Sequence, residues 1–153
     1  MTEEPGGAMR ALILLLLVAS STAWAAEWVA FTNSENAKSQ IFVDMSSVAS
    51  TDETLYSGRD MRKAWIKIEF KTDQASEKHG KPLNFRSTLS LFYFDCSERK
   101  VAIGQAFVYD AKKNQVDNES VDPVLLDFQN VPPESSGEAM LDTVCKAPVR
   151  DKR

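Results

Sequence analysis

Ser87-Thr88-Leu89-Ser90-Leu91-Phe92-Tyr93-Phe94-Asp95-Cys96 is the stretch on which the fold turns. Its β-branched and aromatic residues suit a pleated, buried strand. It begins as an alternation and ends in an unbroken apolar run, Leu91 to Phe94. A strand apolar on both faces is normally covered on both, which puts this one in the middle of a sheet. Nothing in it can catalyse a reaction. It ends in one of the chain's two cysteines, so it can anchor a distant segment.

The segment before it, Arg62 to Lys71, is the cleanest alternation in the chain. Ala64, Ile66, Ile68 and Phe70 fall on one side, and Lys63, Trp65, Lys67, Glu69 and Lys71 on the other. That is a half-buried antiparallel strand with one wet face. Thr72 to Pro82, between the two strands, reads as a polar loop carrying the only histidine, His79. Earlier still, Glu27–Phe31 and Gln40–Asp44 read as short strands. Asp44 to Val48 reads as a turn, because Asp and Ser side chains bond nearby amides.

After the central strand, Ser97-Glu98-Arg99 is a tight connection into Lys100–Tyr109. Simple alternation puts Val101, Ile103, Phe107 and Tyr109 on one face and Ala102, Gly104 and Ala106 on the other. A three-residue connection would turn the small residues to the Cys96 side. A two-residue connection would turn Val101 and Ile103 there, since a one-residue slip exchanges faces. The room that a helix bonded through Cys96 needs favours the first. Gln115–Val121 reads as a polar edge strand, and Val124 to Phe128 as an apolar loop packed onto the core.

Ser135-Ser136-Gly137-Glu138 is a capping box that opens a helix over Ser136–Cys145. Leu141 with Cys145 and Met140 with Val144 are each four apart and share a face. Two cysteines in an exported chain point to one disulfide, Cys96 with Cys145; two free buried thiols are the alternative. The chain-entropy gain from closing such a loop is about 4 kcal/mol.

Export is read from the N-terminus. Arg10, an apolar run from Ala11 to Ala19, and Ala23-Trp24-Ala25 before Ala26 make a basic, an apolar and a cleavage region. Residues 1–25 are therefore expected to be a leader cut between Ala25 and Ala26, with 26–147 the domain and 148–153 a charged tail. The run is too short to span a bilayer, which takes about 20 apolar residues. Glu3 and Glu4 are foreign to such leaders, so Met9 is the expected true start. No cysteine stands at the cleavage site to take a lipid. With a formal charge of −4 over 153 residues, the chain is a poor general ligand for nucleic acid, whose binding rests on neutralising phosphates.

No catalytic constellation emerges. His79 is alone, so a metal or cofactor site has no evident partners. Ser87, Ser90 and Ser97 have no histidine nearby, and Asp117 with Glu119 reads as solubilising charge. The chain holds neither a P-loop nor a dinucleotide fingerprint. Trp65, in phase with Lys67 on a wet face, is the candidate contact for a partner; the plainer reading is a ring that covers lysine stems.

Trp28-Val29, Phe42-Val43-Asp44 with Ser47, Ala64-Trp65-Ile66-Lys67, Ser90 to Lys100, and Pro132 with Ser135, Glu138, Ala139, Leu141, Val144 and Cys145 together resemble the bacterial surface-adhesin protein E family. The resemblance implies an α+β fold: a sheet of about six antiparallel strands with a C-terminal helix tied to one face by Cys96–Cys145. It implies a non-enzymatic protein, sometimes dimeric, that adheres to host extracellular-matrix or plasma proteins; the residues themselves lead us to expect an exported, secreted or cell-envelope protein with no cofactor or metal. The rival expectation is a periplasmic small-ligand or envelope-assembly module. Two features depart from the pattern: the lack of a lipid-bearing cysteine, and the lack of a tryptophan ahead of the closing helix.

Overall fold

In the computed structural model, residues 25–31, 37–51 and 55–149 are described. The expected leader, except Ala25, and residues 150–153 of the tail lie outside them. The strands are β1 Trp28–Ala30, β2 Ser39–Asp44, β3 Ala49–Ser50, β4 Met61–Lys78, β5 Lys81–Asp95, β6 Lys100–Tyr109, β7 Gln115–Ser120 and β8 Gln129–Asn130. Helix α1 spans Ser136–Lys146, and 3-10 turns span Met45–Ser47 and Pro123–Leu125.

The strands form one antiparallel sheet in the order β1-β2-β4-β5-β6-β7. The two-residue strands β3 and β8 add to β4 and β6. This is the expected sheet, with the apolar strand β5 at its centre. Ala64, Ile66, Phe92 and Phe94 form one face of the core with Val43 and Val48, and Met140, Leu141 and Val144 of α1 close over them. Burying these side chains is the main source of stability, each of those larger than Ala64 worth roughly 1.5–3 kcal/mol.

Helix α1 is held at both ends. Ser135 Oγ accepts from the Glu138 amide at 3.2 Å, as the capping box requires. The Glu138 carboxylate reaches back one residue further than the motif predicts, to the Glu134 amide at 2.7 Å. At the other end Cys145 is bonded to Cys96, and Arg62 Nη1 donates to the Val144 and Ala147 carbonyls. Arg99, at the β5–β6 turn, pairs with both Glu138 and Asp142 on the outer side of the helix.

The turn between β2 and β3 shows what Asp44 and Ser47 do. Asp44 is 8% exposed, and its Oδ1 accepts from the amides of Glu27 and Ser46 and from Ser46 Oγ. Ser47 Oγ donates to the Asp44 carbonyl and accepts from the Trp65 amide at 2.9 Å. The serine hydroxyl thus bonds β4 where the chain steps from β2 to β3.

Three expectations are corrected. Thr72–Pro82 is not a loop: β4 and β5 run on as a two-stranded arm to a two-residue turn, His79-Gly80, both at positive φ. Such turns match strand twist; the arm shows no apolar alternation because its ladder is backbone. Second, the small residues of β6 do not share a face. Asp95 pairs with Lys100 and Phe94 with Val101, and the register then slips at Leu91/Phe92, with Gly104 the extra residue. Val101 and Ile103 therefore lie on the Cys96 side, whereas Gln105, Phe107 and Tyr109 are turned to the opposite face. Gly104 makes room for Tyr93: a Cβ there would sit 2.5 Å from Tyr93 Cε2. Third, the loop before β8 is not wholly packed on the core, for Val124 and Leu125 are 65% and 73% exposed.

Candidate functional site: the open face of the sheet

Directly paired residues in a sheet project to the same side, so register assigns the face opposite α1. Lys67 pairs with Phe42 and with Leu89; Trp65 pairs with Leu91; Leu89 pairs with Phe107. Trp28 reaches the same side from the edge, two residues before Ala30, which pairs with Phe42. Trp28, Phe42, Trp65, Leu89, Leu91 and Phe107 are all only half-buried. The helix packs on the other face. The arm is tied to that side by an ion pair, from Lys78 to Asp117, the partner of Val108. Among the described residues, only the end of the open face nearest the β5–β6 turn is closed over. There Tyr93 and Met61 are buried, and burial pushes the Tyr93 phenol above its ordinary pKa.

Two aromatic groups build the face. Trp65 and Phe107 stack across β5, with ring centroids 6.2 Å apart and planes 28° from parallel. Lys67 Nζ lies 4.5 Å from the Phe42 ring centroid and 5.1 Å from that of Trp28, within range of cation–π attraction. It also pairs with Glu69 at 3.0 Å. Trp65 therefore lies against an aromatic ring, and it is the Lys67 ammonium that lies over rings, those of Trp28 and Phe42. The two residues expected to meet a partner share one face, in adjacent clusters. Trp28, Phe42 and Phe107 were missed as members of it, because only strand pairing brings them beside Trp65 and Lys67.

The residues considered for chemistry are dispersed. His79 sits at the tip of the arm. Asp117 is engaged by Lys78, whose hydrogen bond holds its carboxyl below the usual range. Ser90 is buried on the helix side of the sheet. Among the described residues no three His, Cys, Asp or Glu side chains converge as metal ligands, and no helix is long and apolar enough to cross a membrane. The buried carboxylate of Asp95 is satisfied by Arg59 and by the Glu98 amide. Half-exposed aromatic rings with a cation among them make up the open face.

The family profile described as Surface-adhesin protein E matches residues 28–146. No curated protein matches the chain. Among solved structures, the chain is similar to protein E from non-typeable Haemophilus influenzae, with 12% identity, a TM-score of 0.49, and coverage of 84% of this chain and 81% of that one. It is also similar to a selenomethionine form of Haemophilus influenzae protein E, with 10% identity, a TM-score of 0.47, and coverage of 69% and 78%.

Proposed function

The chain belongs to the surface-adhesin protein E family, and on that premise we propose that it is an exported, non-enzymatic binding protein whose open sheet face meets a protein partner. Host extracellular-matrix or plasma proteins are the partner class that fits an adhesin. The observation that carries this reading is the half-exposed platform of Trp65 on Phe107 beside Lys67 over Trp28 and Phe42. Aromatic residues that are already packed lose little freedom on binding and offer a large contact area, which is why they dominate interface hot spots. Leader removal between Ala25 and Ala26 and release of domain 26–147 without a lipid belong to the same proposal, as does assembly into a dimer.

The test is binding of the purified chain to immobilised plasma and matrix preparations, alongside Trp65→Ala and Lys67→Ala. Each substitution is expected to weaken binding at least about tenfold, a loss of about 1.4 kcal/mol, with the circular dichroism spectrum unchanged. Binding equal to the parent in both variants would remove the face from the function. Protease added outside intact cells checks the location: a chain that it leaves uncut would count against surface display.

A further inference from the structure

A second surface lies at the outer edge of β6. Strand β7 pairs only as far as Gln105, and β8 pairs with Lys100 and Val101. Between them no strand pairs with Ala102 or Ile103 on that side among the described residues, and the chain swings out from Val121 to Phe128 before returning. A groove of about 430 Å³ opens in this gap, walled by Phe92, Val101, Ile103, Val121 and Leu125, with Asp127 at its rim. A lobe of about 260 Å³ continues it past Gly104 to Glu119.

The apolar wall is held outward by design of the loop. Asp122 caps the 3-10 turn, accepting from the Val124 amide through Oδ1 and from the Leu125 amide through its carbonyl. Tyr56 Oη donates to the Pro123 carbonyl, and the Tyr56 ring meets Phe128 edge-on at 6.0 Å. The Val121 amide donates to the Gly104 carbonyl at 2.8 Å. With the loop fixed at both ends and in its middle, Val124 and Leu125 stay exposed and Ile103 is 49% exposed beside them. From Gln115 to Asn130 the chain has no lysine or arginine and four carboxylates: Asp117, Glu119, Asp122 and Asp127. Asp117 is neutralised by Lys78. Glu119, Asp122 and Asp127 are exposed and form no ion pair among the described residues.

We infer that this groove binds an extended segment of a partner protein in which an apolar side chain is flanked by lysine or arginine. The apolar residue enters between Ile103 and Leu125, and the flanking cations face Glu119 and Asp127, which line the groove's two lobes. Charge complementarity of this kind sets partner choice and on-rate and makes the contact salt-sensitive. This surface is separate from the open face and does not depend on it.

The probe is a capped, fluorescein-labelled peptide with Leu-Val-Leu between two Lys-Lys pairs, followed by anisotropy with the intact chain. Controls replace the flanks by Glu-Glu, or the centre by Ser-Ser-Ser. The basic apolar peptide is expected to bind at least about tenfold more tightly than either control. Leu125→Ser should remove that advantage, and Glu119→Gln with Asp127→Asn should weaken binding and flatten its salt dependence. All three side chains are exposed, so folding is preserved, and Trp65→Ala should leave the binding unchanged. The inference is overturned if the three peptides bind alike or not at all, or if the groove variants bind as the parent does. It is equally overturned if Trp65→Ala abolishes binding, or if sedimentation shows the groove filled by a second copy that Leu125→Ser releases.

Discussion

Arg62 on β4 closes the last turn of helix α1: its Nη1 donates to the Val144 carbonyl at 2.9 Å and to the Ala147 carbonyl at 2.7 Å. Both lie at the C-terminal end of the helix, where carbonyls run out of intrahelical partners; the Val144 carbonyl also accepts from the Ala147 amide at 3.3 Å. The Arg62 side chain is only 13% exposed and is also paired with Asp60. Arg62→Met keeps the apolar stem but removes the side-chain hydrogen bonds to both carbonyls and the pairing with Asp60, at a cost of about 2 kcal/mol. Arg62→Lys is expected to recover only part of this, since one ammonium cannot reproduce the fork. Urea unfolding of the two variants checks both statements.

Removing the cross-link should be costlier. The Cys96–Cys145 bond closes a separation of 49 residues, for which the chain-entropy gain is about 4 kcal/mol. The Cys96→Ser, Cys145→Ser double variant is expected to lose between about 2 and 5 kcal/mol in chemical unfolding. Two thiols that alkylate in the native parent without reductant would contradict the bond.

Gly104→Val is expected to destabilise by about 1–3 kcal/mol through overpacking, because its Cβ would sit 2.5 Å from Tyr93 Cε2, at the edge of the ring. Pairing it with Tyr93→Ala should return part of that loss. A double-mutant cycle with no coupling would mean that the backbone, not the ring, sets the cost.

The docking of the arm should depend on pH at both extremes. The Lys78 hydrogen bond lowers the Asp117 pKa, and the same bond raises that of Lys78. A carboxyl whose folded pKa lies below its unfolded value of about 3.9 contributes above that value, and the contribution disappears as pH falls through the folded pKa. For Lys78 the contribution is complete below about pH 10.4 and disappears as pH rises through the raised folded value. Protection of the paired Lys78 and Lys81 amides, corrected for the intrinsic slowing of exchange in acid, should fall below about pH 4. Lys78→Met should abolish that acid step.

Much of this architecture can be read from residues alone. The alternation from Ala64 to Phe70 gives a two-faced strand, the Ser135–Glu138 pair gives the start of the helix, and the spacing of Leu141 and Cys145 gives the face it buries. Three features could not be read, each for a physical reason. The arm from Thr72 to Pro82 is wet on both faces, so its strands leave no apolar period. The face exchange in β6 comes from one extra residue at Gly104; a lone glycine in a strand hints at a bulge, but only pairing with β5 fixes where the slip falls. Val124 and Leu125 look like core residues by composition, and it is the Asp122 cap and the Tyr56 bond that turn them outward. For the open face, Trp65 and Lys67 were legible from their phase with wet residues. Trp28, Phe42 and Phe107 join them across strands that are remote in sequence.

The Cys96–Cys145 bond also determines what survives damage. Strands β6, β7 and β8, together with the exposed loop of Val124 and Leu125, all lie between its two sulfurs in the chain. A protease that cuts the Asp110–Asn114 turn or that exposed loop opens the backbone but cannot separate the pieces. The product is a nicked, two-chain molecule still held by its cross-link, with its strands beside their old neighbours. Segments outside the bond, such as the arm tip at His79, have no such safeguard.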